Sequence, residues 1–158
     1  MTHQDSTSSS DSSKGSKMTP QTPAKGDGLK IPQVFSTPGV DPFDDVAWEK
    51  SSAHITGDKG ETIFEQTDVE KPSDWSQLAT TVVVSKYFYG EHGSDQRENS
   101  IRSMVNRVTR TIADLGKANG VFASEEDTEN FYNELTYLCV NQYGALNSPG
   151  WFNVGQFH

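Results

Sequence analysis

The chain has 158 residues, enough for one domain of ordinary size, and its 13 basic and 22 acidic residues give a formal net charge of −9. That balance disfavours nucleic acid as a partner, because neutralising phosphates takes clustered Lys and Arg. The single cysteine, Cys139, excludes an internal disulfide or a redox pair within the chain, and His3, His54, His92 and His158 lack metal-ligand spacing, so no metal site is expected.

Residues 1–30 are dominated by Ser, Thr, Gly, Lys and Pro, with Met1 and Met18 the only large apolar residues before Leu29. Such a segment buries too little surface to offset its ordering entropy, so it reads as a disordered tail. No apolar signal core follows the start and no run is long enough to cross a bilayer, so the expected setting is the cytoplasm, away from membranes. Pro32, Pro38 and Pro42 then predict an extended lead-in. Gly57, Asp58, Lys59 and Gly60 form a turn signal between two strand-like segments, which predicts a β-hairpin.

In "KPSDWSQLATTVVVSKYFYG", Ser73 or Asp74 is placed to cap a helix carrying Trp75, Leu78, Ala79, Val82 and Lys86 on one side. The β-branched run Thr80–Val84 argues for strand instead; the helical spacing is preferred. A second helix is plainer. Ile101, Met104, Val105, Val108, Ile112 and Leu115 fall within roughly 60° of one direction at about 100° per residue. Gly116 and Gly120 supply stop signals. Ser124 is the candidate cap of a third helix, with Glu125, Glu126 and Asp127 at its positive end. Phe131, Leu135, Leu138 and Gln142 would share its buried face, and Gly144 would end it.

The last segment, "ALNSPGWFNVGQFH", should be extended, since Asn147 and Ser148 precede Pro149. Its Trp151, Phe152, Val154 and Phe157 suggest a strand whose neighbours are missing. Asn147, Ser148 and Asn153 interleave with these apolar residues. They are either scattered polar groups on an edge strand or groups facing a pocket. Elsewhere the residues read blandly. Arg102, Arg107 and Arg110 lie outside the apolar stripe and read as a solvated face. Cys139 reads as a small buried hydrophobe. Neither a Gly-rich phosphate loop nor a Ser/His/Asp arrangement is present.

The blocks "WSQLATTVVVSKYFYG", "SIRSMVNRVTRTIADLGKANG" and "VFASEEDTENFYNELTYLCVNQYGALNSPGWFNVG", with the lead-in "PQVFSTPGVDPFDDVAWEK", run in order over residues 31–155. Together they resemble the N-terminal region of adenosylcobalamin-dependent (class II) ribonucleotide reductases. The block "NQYGALNSPGWFNVG" is the most specific. The resemblance implies a mostly α fold with a small β-hairpin, a helical segment leading into the first strand of a truncated α/β barrel. Its divisions would be the tail (1–30), a reductase-like N-terminal domain of hairpin and three helices (31–146), and the start of the barrel (147–158). The implied chemistry is replacement of the ribose 2′-hydroxyl by hydrogen, through a thiyl radical generated with adenosylcobalamin and electrons from a cysteine pair.

On this chain the resemblance assigns substrate binding to Ser148, with Asn147 and Asn153 as weaker supporting candidates. The radical and redox cysteines have no counterpart here, and Cys139 matches none of them. Gly150 stands where Val is usual, and "GQFH" leaves the family pattern. The expected partners are the ribonucleotide, the remaining C-terminal barrel and a second copy in a homodimer. No turnover is expected from this chain alone, and adenosylcobalamin is not expected to bind to it alone. A non-catalytic helical interaction module and a truncated gene product stay open as rivals.

Overall fold

The structure, a computed structural model, describes residues 28–156. The disorder expected of residues 1–27 lies outside the described residues, as do Phe157 and His158. Pairing begins within the stretch read as tail. Leu29 donates to Val121 O (2.7 Å) and accepts from Ala123 N (2.9 Å). The elements are strands β1 (Trp48–Thr56) and β2 (Thr62–Pro72) and helices α1 (Gln77–Tyr87), α2 (Ile101–Ala118), α3 (Glu125–Val140) and α4 (Ser148–Asn153). The mostly helical fold with one hairpin agrees with the sequence reading.

The lead-in is bent where an extended course is expected. Val40 N bonds Thr37 O and Asp44 N bonds Asp41 O, placing Pro38 and Pro42 second in successive turns, where their fixed φ suits the chain. Helix α3 clasps this segment. The Glu134 carboxylate accepts from Phe35 N (2.9 Å), Ser36 N (2.8 Å) and Ser36 Oγ (2.6 Å), and Asp127 accepts from Ile31 N (2.7 Å). Burial alone would raise the Glu134 pKa, but these hydrogen bonds outweigh it and hold the carboxyl below its ordinary value.

Strands β1 and β2 pair antiparallel around the expected turn, Gly60 taking φ 83°. A bulge between Ser51 and Ala53 puts Asp68 at φ 56°, a conformation Asp tolerates. Ala53 and Val69 are buried on the inner face. Helix α1 packs there, but it starts later than expected and turns another side inward. Its cap is Ser76, not Ser73 or Asp74, with Oγ accepting from Ala79 N (3.1 Å). Thr80 and Val84 are buried, whereas Leu78 is 76% exposed and Val82 and Lys86 face outward. The helix carries apolar residues on every side, so its spacing alone cannot select a face. Trp75 lies before the helix and is buried, its indole N–H donating to Val140 O (2.8 Å).

Helix α2 begins at Ser100, whose Oγ accepts from Arg102 N (3.0 Å). Ile101, Met104, Val105 and Val108 are buried as expected, and Ile112 packs against the core. Leu115 is exposed, however, and Thr109 and Ala113 are buried instead. The helix also runs through Gly116, where a Cβ would sit 2.6 Å from the Phe122 ring.

Helix α3 is capped by Ser124 as expected, Asp127 N donating to its Oγ (3.1 Å). Its inner face is Thr128, Thr136, Cys139 and Val140, while Phe131, Leu135 and Leu138 are half-buried and Gln142 is exposed. The small residues win because α2 approaches closely there, and Thr136 Oγ donates to Thr109 Oγ (3.0 Å). The helix ends at Val140, before Gly144, because Gln142 takes φ 58°.

The last segment departs most from expectation. Residues Ser148–Asn153 form a short helix, and no strand follows α3 among the described residues. Asn147 caps it, its Oδ1 accepting from Gly150 N (3.3 Å). Pro149 falls in the first turn, where no N–H is needed and φ is already helical. Trp151 is buried among its own chain's side chains, and Phe152 lies beside Tyr87 with ring centroids 6.4 Å apart. Trp151 therefore does not lack neighbours.

Candidate functional site

Three residues of the α4 segment are candidates, and the structure gives them different positions. Asn147 is occupied as the helix cap. Ser148 is exposed, and its Oγ lies 3.0 Å from the Tyr87 hydroxyl at the end of α1. Asn153 is exposed at the last position of the helix. Only Ser148 is thus paired with a second exposed polar group. Each hydroxyl offers one donor and two acceptors. Their mutual bond leaves one donor and further acceptor capacity, enough to meet a phosphate or ribose oxygen.

Arg107, read from the sequence as a solvated cation, is what holds this arrangement. Its side chain is 11% exposed and pairs with Glu98, itself 10% exposed, at 2.8 Å from Nε. Nη1 donates to Val154 O (2.6 Å) and Trp151 O (3.2 Å), and Nη2 donates to Tyr87 O (3.2 Å) and Glu98 Oε2 (3.2 Å). All five guanidinium N–H donors are used. Glu98 also accepts from Tyr89 N (2.8 Å). Gly155, at φ 77°, lets the chain descend onto this group: a Cβ there would sit 2.6 Å from Arg107 Cγ.

No local signal pointed to Arg107. Helical spacing sets it outside the apolar stripe, and its cover comes from a segment more than forty residues later (|i−j| = 44 and 47). Arg102 and Arg110 are also less free than a solvated face implies. Arg102 lies over the Trp48 ring at 4.5 Å, and Arg110 lies over Tyr132 at 3.8 Å while bonding Glu129 at 2.9 Å.

An apolar cavity of about 360 Å³ lies under α4, with Trp75, Val83, Tyr87, Met104, Leu146 and Trp151 in its wall. Cys139 borders it, and burial pushes its thiol up to about 11, so it stays protonated at neutral pH. Among the described residues no group of three His, Cys, Asp or Glu could hold a metal ion, and no helix is long and apolar enough to cross a membrane.

Comparison with known proteins adds the chemistry this geometry lacks. The sequence profile for the class II vitamin B12-dependent ribonucleotide reductase family matches residues 49–96 and 90–142. The vitamin B12-dependent ribonucleotide reductase of Rhodopirellula baltica is 53% identical over 138 residues, covering 85% of this chain and 13% of that protein. That of Streptomyces coelicolor is 44% identical over 131 residues (82% and 14%), and that of Agrobacterium fabrum is 26% identical over 160 residues (80% and 13%). The chain therefore spans about 13% of the length of these relatives. With the profile matching more than half of its residues, the chain belongs to the class II vitamin B12-dependent ribonucleotide reductase family, as an N-terminal portion of such a protein.

Proposed function

We propose that this chain is the N-terminal part of a cytoplasmic enzyme that reduces ribonucleotides to deoxyribonucleotides, and that Ser148 is its contact with the nucleotide. The observation that carries the reading is the exposed Ser148–Tyr87 hydroxyl pair, of which Tyr87 lies within the stretch that the family profile matches. Asn147 supports Ser148 through its cap, and Asn153 is the weaker neighbour.

The family depends on vitamin B12, and adenosylcobalamin supplies the radical chemistry when bound to the whole enzyme. The cavity here does not fit that group. About 360 Å³ lies near the bottom of the range for drug-sized ligands, and a corrin with its nucleotide loop is far larger. This chain's contribution is to bind and orient, with the cofactor held by the remaining catalytic barrel.

That barrel is also the partner we assign to the outer side of α1. Leu78 is 76% exposed, Val82 faces outward beside it, and Tyr143 and Phe152 are exposed. Exposed apolar side chains grouped in this way mark a surface that a partner covers, and this chain spans only 13% of the relative from Rhodopirellula baltica. A second copy of the chain is the competing occupant.

Deoxyribonucleotide formation with adenosylcobalamin and a dithiol tests the proposal. The 158-residue chain alone should give none, because its single thiol cannot serve as both radical site and redox pair. Combined with the catalytic barrel it should support turnover, and Ser148→Ala should then raise KM by about three- to tenfold, the worth of one hydrogen bond. Turnover by the chain alone would overturn the proposal. A stable complex whose turnover ignores both the chain and Ser148 would favour the non-catalytic interaction module.

A further inference from the structure

We infer that Arg107 is the positioning residue for Ser148, fixing the hydroxyl pair from both sides with one guanidinium. The inference rests on Ser148 being the nucleotide contact. The two hydroxyls come from α1 and α4, elements far apart in sequence, and their 3.0 Å spacing needs both backbones held. Arg107 bonds Tyr87 O, the backbone of one carrier, and Trp151 O and Val154 O, the far end of the other's helix. Glu98 fixes the plane of the guanidinium through two hydrogen bonds and is itself tied to Tyr89 N. Planarity is the point. A lysine ammonium has three donors directed from one atom and cannot reproduce this fork. Gly155 completes the fit, since any side chain there meets Arg107 Cγ and Thr111 Oγ1, at 2.6 and 2.8 Å from its Cβ.

Amide hydrogen exchange and NMR on the full 158-residue chain test the inference. Arg107→Lys should speed exchange at Gly150, Trp151 and Val154 by at least about tenfold, while core amides of α2 and α3 such as Val108 and Thr136 stay as slow as before. The cross-peak between the Tyr87 ring and the Ser148 side chain should vanish. Gly155→Ala should do the same without touching the guanidinium, so a poorly folding Arg107 variant does not block the test. Tyr87→Phe should shift Ser148 resonances and leave α4 exchange unchanged. Unaltered α4 exchange in both Arg107→Lys and Gly155→Ala would overturn the inference, as would equal acceleration throughout, which marks a purely structural role. Titrating a ribonucleoside diphosphate into the wild-type chain and into Ser148→Ala separates the two readings. If the wild-type chain shows no response at Ser148, or Ser148→Ala binds as tightly as the wild type, the nucleotide contact falls while the clip stands.

Discussion

Replacing Arg107 with Leu is expected to destabilise the folded chain by about 3–5 kcal/mol, the usual cost of removing one member of a buried ion pair. The magnitude follows from what remains. Glu98 keeps only Tyr89 N as a partner, with its side chain 10% exposed. Three carbonyls, of Tyr87, Trp151 and Val154, lose their donor. Replacing both members of a buried pair by apolar residues is often nearly neutral, but here it should not be. Arg107→Leu with Glu98→Leu removes the stranded carboxylate and leaves the three carbonyls unmet. Denaturant melts of the two single variants and the double variant should show partial recovery. Full recovery would mean that the carbonyl bonds contribute nothing.

Trp75→Ala should cost about as much, roughly 3–5 kcal/mol. Against a domain stability of about 5–15 kcal/mol, this is a large share. Trp75 is 7% exposed and forms one wall of the cavity under α4, so its loss enlarges a space that α1, α3 and α4 already border. It also removes the indole donor from Val140 O, the last carbonyl of α3. Trp75→Phe separates the two contributions. It keeps most of the ring and loses the N–H, so it should cost about 1–3 kcal/mol. Equal midpoints for the Ala and Phe variants would show that the hydrogen bond, not the packing, dominates.

The parts of the fold that were legible are those whose signal is local. Ser124 and the acidic first turn announce α3, Gly57–Gly60 announces the hairpin, and the stripe from Ile101 to Val108 announces the buried side of α2. Helix α1 was legible as a helix but not in orientation, because Leu78, Val82 and Val84 offer similar apolar surface and only the hairpin decides among them. The buried side of α3 was missed for a related reason. Thr128 and Thr136 look like surface residues until α2 closes over them.

The pairing of Ser148 with Tyr87 was not legible, since 61 residues separate them. The helical form of the α4 segment is not legible because Pro149 carries two opposed signals, disfavouring helix at Ser148 while itself suiting a first helical turn. Arg107 illustrates the general limit. Periodicity places a side chain on a helix face but cannot say what a later segment will lay over it.

Presentation of Ser148 requires α4 to be a docked helix, and backbone chemical shifts of the full chain test this directly. Helical carbon shifts are predicted across Ser148–Asn153, together with a shielded Trp151 indole and contact between the Tyr87 ring and Ser148. Extended or averaged shifts over the same residues, with the Trp151 indole open to solvent, would contradict it.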